Sequence, residues 1–347
     1  MRKWYDRVDY MRAKAVAFTV AVISVALARG QTEKISAVDL FGTTGVDVQS
    51  IRRALPVHEG DLFPKSDHAG ERLVAEIKDA VEGVAGAGAT DVALSCCEYK
   101  GGFTVFIGLP GTAVRHIAYS PPPNRGTILP DRGLEAYERA MDAVLGAQQN
   151  GAGQDDSHAH SLSGDRTLRD SQLAMKRYAL AHERAIRLVL GASRYPRQRA
   201  AAAWLLGYSR HPELEVAQLV LASRDSNNVV RNNAVRSLAV IAGADIRVAR
   251  RIPAAPFIEL LYSGSWHDRD KAAFLLDALS TGHDPNLLQT LRAEALPPLL
   301  EMAHWHAQAE PAKRLLGRIA GVDEINLNRA VANDQIDLII GELQQRK

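Results

Sequence analysis

Residues Asp225 to Ile241 (DSNNVVRNNAVRSLAVI) constrain this chain more than any others. An acidic turn leads into a helix whose apolar face is Val230, Ala234, Leu238 and Ile241, at the three- and four-residue steps of one helix face. Related blocks are Ala200–Gly207, Ala272–Leu276 and Ala312–Gly317, and their small residues Ala202, Ala234, Ala272 and Ala312 recur at spacings of 32, 38 and 40. Each block follows a second apolar-periodic stretch: Tyr178–Leu190, Leu214–Ala222, Phe257–Leu261 and Leu291–Met302. Pro196, Pro212, Pro253, Pro256 and Pro285 mark the breaks. One such helix pair cannot bury its own apolar face, so the unit makes sense only in a stack.

The Asp225…Val230-Arg231…Ala234…Leu238 unit resembles the HEAT repeat, and the resemblance extends over residues 167–320. The third copy lacks the Val-Arg pair, and the last carries Pro311 within its turn. The resemblance implies an all-α solenoid whose second helices line a concave recognition surface. Residues 321–347 hold an amphipathic stretch, Ile325 to Leu343, expected to cap the last repeat. Arg231 is expected to pair with Asp225 or with the next repeat's acid, as a structural ladder between units. Asn232, Asn233 and Arg236 share the face opposite the apolar stripe, and Arg199, Arg269 and Lys313 stand near corresponding positions. These residues, Asn232, Asn233, Arg236, Arg199 and Arg269 above all, are the expected contacts to a protein or peptide partner, an acidic one by charge. Trp204 and Trp266 are expected in the core.

Residues 34–111 read as a mixed unit. Ile35–Phe41 is a strand, and Asp47 caps a helix to Leu55. A second helix runs from Glu71 to Val84, and two strands, Asp91–Tyr99 and Gly102–Leu109, turn at Lys100-Gly101. This β-α-α-β-β order, with Glu59-Gly60-Asp61 between the helices, resembles the POTRA domain of outer-membrane assembly and secretion proteins. That likeness implies a sheet edge or groove lent to peptides. The text that follows is helical and not a β-barrel, so no channel role is expected. Residues 112–166 read as a linker: stiff Ser120-Pro-Pro-Pro-Asn-Arg-Gly126, one helix over 134–149, and a polar, glycine-rich loop over 150–164.

Residues 1–28 read as a signal peptide: Arg12 and Lys14, an apolar run of 14 residues from Ala15 to Ala28, and a small-residue cleavage site at Ala26-Leu27-Ala28. Met11 is an alternative start. The run is shorter than the ~20 residues of a membrane span, so an exported protein, periplasmic or peripheral to the cell envelope, is expected. Five basic and two acidic residues lie in that segment, and removing their +3 from the chain's +2 leaves −1. A near-neutral chain without a dense basic block is not expected to bind nucleic acid.

The chemistry-bearing residues are sparse. His158, His160, Asp155 and Asp156 offer nitrogen and oxygen ligands, but in a loop with no preorganised geometry. His304 and His306, placed on a helix, would point some 200° apart and cannot share an ion. HEAT-type stacks include di-iron hydroxylases, but His58-Glu59 and His182-Glu183 are too scattered for such a cage. No Gly-x-Ser-x-Gly elbow or phosphate-binding glycine loop occurs. Cys96 and Cys97 are adjacent, with Cα atoms ~3.8 Å apart, below the usual disulfide span, and no intrachain bridge is expected. The expected fold is therefore multidomain, a small α+β module followed by an all-α HEAT-like solenoid. The expected function is a non-catalytic, cofactor-free scaffold or adaptor. The alternative is an enzyme, a lyase or metal-dependent, built on the same frame around the Asp155–His160 loop.

Overall fold

The computed structural model describes residues 34–63, 67–96, 100–155 and 160–345. The expected signal peptide lies outside the described residues. The chain divides into two compact units at Thr112/Ala113.

The first unit contains β1 (Ile35–Phe41), α1 (Val48–Ala54), α2 (Asp67–Ala85), β2 (Asp91–Cys96) and β3 (Phe103–Gly108). Its three-stranded sheet has the order β1-β3-β2. β1 runs parallel to β3 with Val38 opposite Val105, and β2 runs antiparallel to β3 with Leu94 opposite Val105. A parallel neighbour needs a crossover, and the two helices supply it. Asp47 starts α1 by accepting from Ser50 N at 3.0 Å, and that backbone bond holds its carboxyl below the usual range. Ile35, Val38, Leu40, Ile51, Ile77, Val81, Val105 and Ile107 form the core between sheet and helices. The β2–β3 turn uses positive φ at Lys100 (49°) and Gly101 (70°), the conformation that a tight hairpin demands. Gly111 is required by space, since a Cβ there would lie 2.0 Å from the Gly42 carbonyl oxygen. Cys96, the last described residue of β2, is disulfide-bonded. The expectation of no bridge therefore does not hold for Cys96.

The second unit opens with an extended segment, followed by α3 (Gly133–Gln149), β4 (Gln154–Asp155), β5 (Leu162–Ser163) and α4 (Arg166–Ala192). Helices then continue to the end: α5 (Pro196–Leu206), α6 (Pro212–Ala222), α7 (Asn228–Ala244), α8 (Ile246–Ala249), α9 (Ala255–Leu260) and α10 (Trp266–Ser280). The last are α11 (Pro285–Glu294), α12 (Leu296–Ala303), α13 (Glu310–Ala320), α14 (Glu324–Ala332) and α15 (Ile336–Gln345). Proline stands at the first turn of α5, α6 and α11, where no intrahelical N–H bond is lost. The helices α5, α7, α10 and α13 pack each on the next, while α4, α6, α9 and α12 pack on their successors, an arrangement compatible with a helical solenoid. Ala202, Ala234, Ala272 and Ala312 are fully buried in the central row, and single methyl groups there let helices approach closely. Val230, Leu238 and Ile241 are likewise fully buried. α14 and α15 pack against α13. Among the described residues, no helix is long and apolar enough to cross a membrane.

Candidate functional site

Three turns of the second unit share one construction. Ser193, Asp225 and Ser263 each accept, through a side-chain oxygen, the backbone N–H two residues on: Tyr195 (3.2 Å), Asn227 (2.8 Å) and Ser265 (3.1 Å). These short-range bonds fold the chain into the turn that starts α5, α7 or α10. Six residues after each turn residue stands an arginine, which donates back to its carbonyl: Arg199 to Ser193 O (2.8 Å), Arg231 to Asp225 O (2.9 Å) and Arg269 to Ser263 O (2.6 Å). The other side of each guanidinium reaches into the following repeat. Arg199 is bidentate to Asp225 (2.7 and 2.9 Å), Arg231 is bidentate to Asp268 (2.8 and 3.1 Å), and Arg269 meets Glu301 (2.8 Å). All three arginines are buried, at 1%, 4% and 2% exposure, so each depends on its carboxylate partner to offset desolvation. For Arg269, burial depresses the pKa while the Glu301 charge opposes it.

Residues 113–130 lie along these turns as an extended strap. Arg115 N donates to Tyr262 O (2.9 Å), Ser120 N to Arg224 O (2.6 Å) and Arg125 N to Ala192 O (3.1 Å). In every case the acceptor is the residue just before the turn residue, and the three form parallel bridges with Ser263, Asp225 and Ser193. The strap therefore advances five residues for each repeat it crosses. Pro121–Pro123 lack N–H groups and fall between two donating positions, so the polyproline stretch costs no bond. Tyr119 fixes the centre: its hydroxyl donates to Asp268 Oδ2 at 2.5 Å, and the Arg231 guanidinium lies 3.8 Å above its ring. Burial, then the Asp268 charge, push the Tyr119 pKa up to about 12. Ile117 and Leu129 are buried, and Leu129 N donates to Gln198 Oε1 (2.8 Å).

This geometry reassigns several residues. Arg199 and Arg269 are not on a ligand groove; they are buried in the ion pairs between repeats. Arg231 pairs with the next repeat's acid, Asp268, whereas its contact to Asp225 is through the backbone carbonyl. Asn233 is 1% exposed and donates to Ala200 O (3.0 Å) and Tyr137 Oη (3.1 Å), because α3 covers the helix face that was expected to be open. Asn232 donates to Asn233 Oδ1 at 3.0 Å. Arg236 is half-buried, lying 4.4 Å over the Trp204 ring and 3.5 Å from Gln154 Oε1. Burial pushes the Tyr137 pKa up to about 12. Trp204 and Trp266 are buried.

The linker expected over 112–166 is not a spacer, since both its strap and α3 pack on the helices. Its polar loop is pinned at both ends: buried Gln172 accepts from Ser163 N (2.6 Å) and donates to Gln154 (3.2 Å), and Tyr208 Oη donates to Ser161 O (3.1 Å). His160 Nε2 lies 3.0 Å from Lys176 Nζ. Asp156 and His158 are outside the described residues. Among the described residues, no group of three or more His, Cys, Asp or Glu is placed to hold a metal ion. His304 and His306 do not lie on a helix, because α12 ends at Ala303.

The strap was missed in the sequence, although its seat leaves a signal there: Ser or Asp followed six residues later by Arg, three times, at steps of 32 and 38. No protein-family model matches the chain, and no similar curated protein or solved structure is found. On geometry, the class defined is a small mixed-sheet unit joined to a helix-rich unit whose turn edge holds extended backbone.

Proposed function

We propose that this protein is a non-catalytic scaffold or adaptor, in which a HEAT-like solenoid binds a protein partner. The observation that carries this reading is the strap. The turn edge of three successive helix pairs already holds an extended segment through one backbone bond per repeat and a seated tyrosine, which is the manner in which a recognition surface holds a peptide. Buried ion pairs joining the repeats give that surface a fixed register. The first unit, POTRA-like in its β1-β3-β2 order, supplies a second contact along edge strand β2. The signal peptide expected over residues 1–28, with its apolar run from Ala15 to Ala28, supports a location in the periplasm or at the cell envelope.

Photocrosslinking in the native cells tests the proposal. A photoreactive residue replaces, one at a time, exposed Leu221, half-buried Arg236 and exposed Leu338 in the full chain. A protein adduct of one defined mass at some of these positions and not at others is expected, in the envelope fraction. Absence of adducts at all three, together with stoichiometric metal in the purified chain, would overturn the scaffold in favour of an enzyme on the same frame.

A further inference from the structure

The strap does more than cover the turns: with the end of α4 it borders an open cleft of about 600 Å³. Pro122, Pro123, Asn124 and Arg125 form one wall, and Arg187 and Leu188, with the Gly191–Ala192 backbone, form the other. Among the described residues, no carboxylate lines it. We propose that this cleft binds an acidic, leucine-type segment of a partner protein, its side-chain carboxylate held between Arg125 and Arg187. The proposal rests on the recognition reading above and names the chemistry of the partner.

Both arginines are launched from fixed backbone. Arg125 donates its N–H to Ala192 O (3.1 Å) and accepts from Arg194 N (2.7 Å), while its exposed guanidinium carries no structural ion pair among the described residues. Arg187 has its carbonyl tied to Gln218 Nε2 (2.5 Å), and its Nη1 donates to Glu215 Oε1 (2.5 Å). That single bond leaves the other N–H donors of Arg187 for a ligand. Glu215 itself is fully buried behind the cleft, where Ser209 also reaches Oε1 (3.0 Å) and Oε2 has no hydrogen-bond partner. Glu215 thus steadies Arg187 from behind without occupying the cleft. Two arginines lining one opening favour a carboxylate, through charge-assisted bonds.

The rest of the lining selects what carries that carboxylate. Leu188, on the α4 wall, is 53% exposed. Beside Pro122 and Pro123, it gives the lining an apolar member that an apolar neighbour of the acid would cover. The cleft's volume lies in the range of sites for small ligands or a few residues of peptide.

Fluorescence anisotropy on the full chain provides the test, using a labelled, end-capped peptide of alternating glutamate and leucine, and a second with glutamine for glutamate. The glutamate peptide is expected to bind, the glutamine peptide about ten-fold more weakly, as for the loss of a charge-assisted contact. Arg125→Glu and Leu188→Glu, both exposed positions, should each weaken binding at least to that degree. Arg250→Glu, on an exposed arginine away from the cleft, should not. Equal binding of the two peptides, equal loss in all three variants, or no binding of the glutamate peptide would each overturn the proposal. A crosslinked partner that persists in Arg125→Glu would leave the scaffold standing while removing this site from it.

Discussion

The first three turns of the helical unit and the fourth solve the same problem differently. Counting back from the aligned alanines, Ser193, Asp225 and Ser263 correspond to Ala303, and Arg199, Arg231 and Arg269 correspond to Ala309. The fourth turn therefore has neither the side-chain acceptor nor the guanidinium. Its helix α13 is held by fully buried Leu315 and Leu316, and its buried arginine sits at the opposite end: Arg318 joins Asp277 and donates to Ser280 Oγ (2.9 Å) and Glu324 (2.6 Å). The three strap bridges fall on the three turns that carry the arginine. The reason is geometric. Each arginine takes the carbonyl of the turn residue, which fixes the turn, and the carbonyl one residue earlier is the one that accepts from the strap. Ladder and strap are one device, and a turn without the arginine is left to apolar packing.

The largest effect should come from breaking the ladder. Arg199→Ala and Arg231→Ala each leave a buried carboxylate without its cation, and a loss of about 3–5 kcal/mol is expected in denaturant unfolding. Replacing Arg231 and Asp268 together by Met and Leu should cost much less, because no charge is stranded. A double variant as unstable as Arg231→Ala would mean that the ladder acts by more than mutual neutralisation. At the fourth turn the corresponding weak point is apolar, and Leu315→Ala should cost about 2–5 kcal/mol by cavity formation, with no change in its salt dependence.

Strap contacts rank next. Tyr119→Phe removes the hydroxyl that donates to Asp268 and should cost about 1–2 kcal/mol, with faster hydrogen exchange at Ser120 and Arg125 as the readout. Because the folded pKa of Tyr119 is raised from about 10 to about 12, its neutral form is favoured by folding. That contribution is complete below pH 10 and is lost as pH rises through about 12, so the stability of wild type and Tyr119→Phe should converge over that window. Smallest of all is Arg236→Ala, which loses a guanidinium–indole contact worth about 0.5–1 kcal/mol. A larger loss there would show that the Gln154 loop depends on Arg236.

Much of the helical text was legible because its signals are local. Val230, Ala234, Leu238 and Ile241 repeat at helical spacing, and all are fully buried on α7. The prolines at 196, 212 and 285 begin helices as expected. The first unit's element order was readable from Asp47, the helical stripe of α2 and the Lys100-Gly101 turn. The opposite face of α7 was not readable. Asn233 looks solvent-bound in sequence, but whether it meets water or Tyr137 depends on α3, some ninety residues earlier. Residues 113–130 carried no periodicity at all, since an extended segment that borrows its hydrogen bonds from another element leaves no pattern of its own.

By itself the sequence determined that Pro196, Pro212 and Pro285 begin helices, that α7 buries its Val230–Ile241 stripe, and that the helical unit is a run of related pairs, because capping and amphipathic spacing act over a few residues. It did not fix the starts of α2 and α4, which lie earlier than Glu71 and Tyr178, or the break between α11 and α12. Tertiary structure alone decided which polar residues are buried. Arg199, Arg231 and Arg269 have the composition of a basic groove, and only the carboxylates of the following repeat, brought within about 3 Å, turn them into inter-repeat ties. Charge in a sequence states a capacity; the distance to the nearest opposite charge, and the water excluded between them, states its use.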